Sequence, residues 1–308
     1  MKIDVVIPLY NMERFILDAL RSVEAQTCSP HKVWVVNDGS TDDGPQKVRS
    51  FMPHSQLDIT VVDKENGGLS SARNAGIMSS DADWIAFLDA DDVWLPQKLE
   101  RQSALIHKTE WPDLGLVYCG YHLFSTELSS PRNEGMHIDE ELRGRVYARL
   151  FRGNRIAGSG SAVLVKRRCF DEVGNFDQTL SAYEDWDMWL RIAERYPVDY
   201  VDETLVGIRE HSGNMQKDHS LMQENLARFY VKWFRRVGHA SVEGKMLSRY
   251  LAQRMVGSIM RGDMRKAAQT ISLVHGAFSE QERMRFFNGT KPWHLLRSLV
   301  GSVFKSAA

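Results

Sequence analysis

The run Phe87-Leu88-Asp89-Ala90-Asp91-Asp92 places three carboxylates within four positions, directly after an apolar stretch. Three acids that close repel one another unless a cation or several hydrogen-bond donors neutralise them. A divalent ion is the economical answer. Mg²⁺ or Mn²⁺ takes oxygen ligands from one or two carboxylates and leaves the rest of its shell to water and substrate phosphate. The competing reading is a solvated turn and helix cap, because Asp91-Asp92 ahead of Val93-Trp94-Leu95-Pro96 has the form of an N-cap.

A second constellation is Tyr183-Glu184-Asp185-Trp186-Asp187-Met188-Trp189-Leu190-Arg191. Paired acids at a helix start are what the helix dipole favours in any protein, yet the dipole does not account for the flanking aromatics. Tyr183 and Trp186 are aromatics that the dipole alone leaves unexplained. A third is Gly207-Ile208-Arg209-Glu210-His211-Ser212-Gly213-Asn214, a strand end followed by a loop. Gly158-Ser159-Gly160-Ser161 has the small residues of a phosphate loop but no following Lys-Ser or Lys-Thr pair. Ser159, Gly160 and Ser161 therefore read as small side chains that let another group approach closely.

Such residues need strand ends to hold them. Residues 5–7, 33–36, 59–62 and 84–88 are short, β-branched apolar runs, and residues 13–25 carry Phe15, Ile16, Ala19, Leu20 and Val23 at helical spacing. Asn37-Asp38-Gly39-Ser40-Thr41 is the exit loop of the second run, with Asp42 or Asp43 as cap of the helix beyond it. Polar, Gly-rich or acidic residues follow each run. In an open α/β sheet, ligands bind at those carboxyl ends. Residues 117–165 mix short apolar stretches with a polar loop at 125–135, and predict mixed strands and a mobile loop. Residues 162–165 predict a strand and residues 186–193 a buried helix. After Asp218 the pattern is helical throughout, with Gly238, Gly262 and Gly276 at turns.

Four fragments occur in order with strands between them: Val6-Ile7-Pro8-Leu9-Tyr10-Asn11, Val35-Val36-Asn37-Asp38-Gly39-Ser40-Thr41-Asp42, Asn66-Gly67-Gly68-Leu69-Ser70-Ser71-Ala72-Arg73-Asn74-Ala75-Gly76, and the acid cluster. Together they resemble the inverting family-2 glycosyltransferases of the GT-A fold over residues 3–212. The resemblance implies a mixed, mainly parallel sheet flanked by helices in a catalytic domain of residues 1–218, followed by a helical region, 219–308. It implies a nucleoside-diphosphate-sugar donor, UDP above others, and a saccharide or lipid-linked acceptor in surface polysaccharide assembly.

The same resemblance distributes roles. Pro8, Tyr10 and Asn11 would shape a loop around the nucleotide, and Asp38 would accept a hydrogen bond from the base, with Gly39, Ser40, Asn66 and Gly67 beside it. Arg73 would lie near the phosphates or base. Asp89, Ala90 and Asp91 would meet the ribose and the Mn²⁺ or Mg²⁺, with Asp89, Asp91 and His211 as its ligands. Asp185 would be the catalytic base, Glu184 would orient acceptor hydroxyls, and Trp186 would wall the sugar.

Composition is consistent with a folded protein: 308 residues, 43% hydrophobic and 26% charged, with a net charge of −1. The charge is unevenly spread. From Gln223 onward there are 15 Lys and Arg against 5 Asp and Glu, which leaves 24 against 35 in the first 222 residues. An acidic front suits a cation-using site, whereas a basic end suits an anionic membrane surface or a solvated helical bundle; nucleic acid is not expected as a partner. Cys28, Cys119 and Cys169 are widely spaced and predict free thiols. With no apolar run near the ~20 residues of a membrane span, the expectation is a cytoplasmic protein, peripheral at the membrane through its last helix. In that segment Arg283, Arg285, Lys291, Arg297 and Lys305 interleave with Phe286, Phe287, Trp293, Leu296 and Phe304. Two other classes share parts of the pattern, a sugar-phosphate nucleotidyltransferase and a nucleotide-sugar-binding module without turnover. The first would carry a Gly-rich, basic signature near the first strand, where this chain has Pro8-Leu9-Tyr10-Asn11.

Overall fold

The computed structural model describes residues 1–125, 142–156, 160–238, 241–247 and 249–250, with residues 260 and 281. The four apolar runs are strands: β1 (Ile3–Leu9), β2 (Lys32–Asp38), β3 (Ile59–Lys64) and β4 (Trp84–Phe87). Four more complete the sheet: β5 (Val93–Trp94), β6 (Leu116–Phe124), β7 (Leu164–Lys166) and β8 (Val198–Arg209). Their order is β3-β2-β1-β4-β7-β6-β8-β5. β1 pairs in parallel with β2 and β4, β2 with β3, and β6 with β8. The pairs β4–β7, β6–β7 and β5–β8 are antiparallel. The chain runs outward from β1 to β3 and then returns to β1's other side at β4, so a topological switch point lies between β1 and β4.

β1 is buried at all seven positions, as expected of a parallel strand covered on both faces. Its one charged residue, Asp4, is matched by donors: the His31 ring nitrogen at 2.9 Å, Trp34 Nε1 at 2.8 Å and Ser80 Oγ at 2.6 Å. Pro8, which has no N–H to give, sits beyond the last β1–β4 rung, Val6 against Phe87.

The helices are α1 (Ile16–Glu24), α2 (Gly44–Phe51), α3 (Leu69–Ser79), α4 (Lys98–Lys108), α5 (Tyr147–Leu150), α6 (Arg167–Val173), α7 (Glu184–Arg195) and α8 (His219–Val237). α1 buries Ile16, Ala19, Leu20 and Val23, the face its spacing predicts. Asp43 occupies the cap position of α2, but Asp42 does the bonding, accepting from the backbone N–H of Gly44 at 3.0 Å and of Glu13 at 2.8 Å. α3 lies directly on β1, because a Cβ at Gly76 would stand 2.3 Å from Val6 Cγ1.

The helix-cap reading is excluded. Asp91-Asp92 does not cap a helix: Val93-Trp94 is the short strand β5, hydrogen-bonded to Gly207 and Val206 of β8. β8 itself is 12 residues long, and the sequence marks only its end. Asp199, Asp202 and Glu203 interrupt its apolar run, and its register against β6 shifts at Gly120, so no uniform alternation survives. The three cysteines are free.

The chain divides into two compact units, residues 1–147 with 155–214, and residues 148–154 with 215–308. The first holds the whole sheet. Within the second, Asp218 caps α8 by accepting from the N–H groups of Ser220 and Leu221 at 3.0 Å, and Gly238 ends it at φ +73°. Phe151 packs edge-on against Trp233 there, 5.4 Å between centroids. Gly262, Gly276 and the basic aromatic segment of residues 283–305 lie outside the described residues.

Candidate active site

The loops after β1, β2 and β3 are laced to one another. Asn11, held at φ +53°, accepts the Thr41 N–H at 2.8 Å and donates its own N–H to Ser40 Oγ at 3.2 Å. Tyr10 beside it is half exposed, an aromatic face at the mouth of the sheet. Asp38 closes the next loop. Its buried carboxylate receives the backbone N–H groups of Gly67 at 3.0 Å and Gly68 at 2.8 Å, together with the Lys64 ammonium. Its oxygens thus serve the loop first. Gly39 has φ +73°, and a Cβ there would press on the Asn66 backbone nitrogen at 2.8 Å. Ser40, Asn66 and Gly67 remain accessible around this rim. Pro8 and Ala90 are buried, in β1 and the core respectively, and so shape the donor loops rather than line them.

Asp89, Asp91 and Asp92 diverge. Asp92 is buried and accepts from Ser161 Oγ at 2.6 Å and the Arg209 N–H at 3.1 Å, while Ser161 Oγ in turn accepts the Asp89 N–H at 3.1 Å. Asp89 accepts from Arg73 Nη2 at 2.8 Å. Asp91 turns the other way, its Oδ2 lying 2.8 Å from His211 Nε2. The Gly213 N–H donates to His211 Nδ1, 3.2 Å away, which leaves Nε2 as the ring nitrogen that faces Asp91. Phe15 backs the imidazole at 4.8 Å between centroids. Arg209 fixes the arrangement, donating from Nε to the Asp91 carbonyl at 2.9 Å and from Nη2 to Asp18 at 3.0 Å, with its guanidinium over Phe15 and Phe124.

Burial, then the charge of Asp89, raises the Asp91 carboxyl against the opposing pull of His211. Burial, then Asp91 and Asp89, holds Asp92 well above the usual carboxylate range. Burial is the larger cause at both residues, and the neighbouring carboxylates add to it. Asp91 and His211 are the side chains placed together that could hold a cation, a carboxylate and an imidazole 2.8 Å apart. The trio of Asp89, Asp91 and His211 does not converge, because Asp89 is drawn to Arg73. Among the described residues, the group of three such side chains whose ligand atoms do lie within 4.8 Å of one another is Asp4, His31 and Asp81. That group sits at the amino ends of β1, β2 and β4, away from these loops, and Asp4 is already satisfied by three donors.

The acid pair opens α7. Tyr183 precedes it in the left-handed region at φ +61°, and Asp185 is partly exposed, with Oδ1 accepting the Trp186 N–H at 2.7 Å. Glu184 is buried and accepts from Arg73 Nη1 at 2.8 Å. Burial and the neighbouring Asp185 charge push its carboxyl up to about 7 in spite of Arg73.

Five of the expected site residues are buried. Trp186 is fully enclosed, facing the core from the first turn of α7. Glu184 turns inward to Arg73. Arg73 is itself fully buried between Glu184 and Asp89. Gly160 does allow a close approach, but to the Arg73 guanidinium, which a Cβ would meet at 2.8 Å. Ser161, fully buried, is a strut of the acid loop. Ser159 lies outside the described residues.

A family model described as glycosyl transferase family 2 matches residues 4–174, more than half of the chain. The chain belongs to this family. Among similar proteins, the glycosyltransferase RP339 of Rickettsia prowazekii is 30% identical over 213 residues, 68% of this chain and 64% of that protein. A glycosyltransferase of Rickettsia felis is 29% identical over 221 residues, 68% of this chain and 34% of its own length. The chain thus spans between about a third and just under two thirds of those relatives. Two solved structures share the fold. S. aureus TarS 1-349 in complex with UDP-GlcNAc has a TM-score of 0.68 at 18% identity, covering 93% of this chain and 84% of that one. Mannosyltransferase PcManGT from Pyrobaculum calidifontis, in complex with GDP-Man and Mn²⁺, has a TM-score of 0.62 at 18% identity, covering 99% and 86%. The fold is therefore of the GT-A type.

In this family-2 chain the residues not foreseen as site-forming are Lys64, Phe15, Asp18, Asp92 and Arg209. Arg209 and Asp92 stand inside the quoted motifs. Phe15 and Asp18 carry no sequence signal, since both lie around a helix start and meet the site only through Arg209 and His211.

Proposed function

We propose that this chain is an inverting glycosyltransferase, moving a sugar from a nucleoside-diphosphate sugar, UDP-linked above others, to a hydroxyl of a saccharide or lipid-linked acceptor. The observation that supports the reading is the Arg73 bridge, which ties the Asp89 loop after β4 to the first turn of α7, where Asp185 stands. Tyr10 supplies an exposed aromatic face for the base, and the rim of Gly39, Ser40, Asn66 and Gly67 supplies backbone groups for the ribose. Asp185, the more open acid of its pair, accepts the acceptor's proton as that oxygen bonds to the anomeric carbon. The bond from that carbon to the diphosphate breaks in the same step, and general-base help of this kind is typically worth about 10²–10⁴-fold. Asp91 and His211 would hold a divalent ion, which when bound supplies positive charge against the leaving diphosphate. The excess of Lys and Arg after Gln223 supports a peripheral position at the inner membrane face and a lipid-linked acceptor in polysaccharide assembly.

Incubation with a panel of nucleotide sugars and acceptors tests the reading. Release of nucleoside diphosphate with a glycosylated product supports it. Pyrophosphate release would show a nucleotidyltransferase, and donor binding without turnover would show a binding module. Donor affinity that is equal with and without a chelator would remove the metal from the proposal.

A further inference from the structure

Transfer requires the donor-side and base-side groups to stand at a fixed separation, since a misplacement of about 1 Å can cost 10²-fold. One side chain touches both sides. Arg73 donates from Nη1 to Glu184 Oε1 and from Nη2 to Asp89 Oδ1, each at 2.8 Å, with no solvent exposure of its own. Its guanidinium lies over the Phe176 ring, 5.4 Å from the centroid, and is closed on another side by Gly160. The Nε–H has no hydrogen-bond partner among the described residues. Packing alone would favour an apolar side chain here, because a buried cation with an unmet donor is costly to hold.

The helix that carries Arg73 grips the same segment twice more. Ser70 Oγ donates to the Leu180 carbonyl at 3.2 Å, and the Asn74 side chain exchanges two bonds of 2.9 Å with the Phe176 backbone. Residues 176–184 therefore ride on α3, and α3 rides on β1 through Gly76. Ser70-x-x-Arg73-Asn74, read in sequence as part of a donor loop, is a rail for the acid pair.

We infer that Arg73 is a positioning residue that fixes the Asp89 loop and the first turn of α7 to each other, so that the donor-side carboxylate and Asp185 are aligned as one unit. The role rests on the transfer reading above. A planar guanidinium spans two carboxylates at once, whereas an ammonium is a point charge that serves one. Arg73→Lys thus separates charge from geometry. Gly160→Ala separates them differently, keeping the Arg while pushing on Nη2, which cannot retreat because both ends of the fork are held.

The test uses the full-length protein, with UDP as the binding probe. In both variants, UDP affinity and donor KM should stay within about threefold of wild type while kcat falls by at least about 100-fold, the signature of lost alignment rather than lost binding. Amide exchange at residues 183–187 should quicken by about tenfold or more, a local loosening that needs no substrate to detect. If kcat stays within about threefold of wild type, or if exchange at 183–187 is unchanged, the inference is overturned. Should Arg73→Lys fail to fold, Gly160→Ala decides by the same criteria. A wild-type protein inactive on every nucleotide sugar would defeat the transfer reading, and the exchange measurement would still decide whether Arg73 locks the two loops.

Discussion

Asp185 and Glu184 are adjacent acids with opposite surroundings. Glu184 is enclosed and answered by Arg73, whereas Asp185 is partly open at the helix start, which is why the proposed base is the second acid. Asp185→Asn keeps the size and the bond from the Trp186 N–H while removing the basic oxygen. Donor binding should persist, and turnover should fall by about 10²–10⁴-fold in a steady-state assay; near-normal turnover would take Asp185 out of the mechanism. Lys98 shows the cost of a buried charge without a carboxylate. It donates to Gln102 Oε1 at 2.9 Å and lies 4.0 Å over the Trp94 ring, and burial lowers its ammonium to about 8. The unfolded chain keeps that proton up to about 10.4. Between those values the unfolded state binds more protons, so this contribution to stability is complete above the unfolded pKa and is lost as pH falls through 8. Lys98→Met should therefore be the more stable protein at pH 7, by on the order of 2–3 kcal/mol, and the gap should close in denaturant melts by pH 10. A gap independent of pH would mean that Lys98 does not titrate in that window.

At the scale of elements, α3 decides more than its length suggests. Its Gly76 permits contact with Val6, and its Ser70, Arg73 and Asn74 reach the loop that leads into α7. Gly76→Ala should raise α3 off β1, because the added methyl would overlap Val6 Cγ1 at 2.3 Å. Overpacking of this kind typically costs about 1–3 kcal/mol. Chemical denaturation should show that loss, and turnover should fall with it as the Arg73 bridge shifts, with UDP affinity little changed. A variant as stable as wild type would show that the helix can move without consequence. The strands were legible because continuous β-branched runs mark parallel strands buried on both faces. β8 was not, because its acids and register shift are tolerated only by the neighbours it finds in the fold.

Across the whole molecule, the acidic first 222 residues contain the sheet and its carboxylates, and the basic remainder follows. No helix among the described residues is long and apolar enough to cross a membrane. Membrane contact would then rest on charge and interfacial aromatics, with each basic residue near an anionic surface adding about 1 kcal/mol. Removal of residues 290–308 should abolish co-sedimentation with anionic vesicles while leaving UDP binding and thermal stability unchanged. A truncated protein that unfolds, or that still sediments with vesicles, would assign the segment to structure.

The sequence alone determined the family resemblance, the order of the first four strands and the identity of the acid clusters, because local spacing and composition carry those signals. The acid pair Glu184-Asp185 at a helix start was legible for the same reason. Orientation was not. Trp186, Glu184, Arg73, Gly160 and Ser161 sit in motifs that mark a site, but a motif does not say which side chains face the ligand and which hold the motif in place. That distinction depends on contacts across long separations: Arg73 with Glu184 is 111 residues apart, Asp91 with His211 is 120, and Asp92 with Arg209 is 117. Only tertiary packing brings such partners together, and burial then turns apparent ligands into struts.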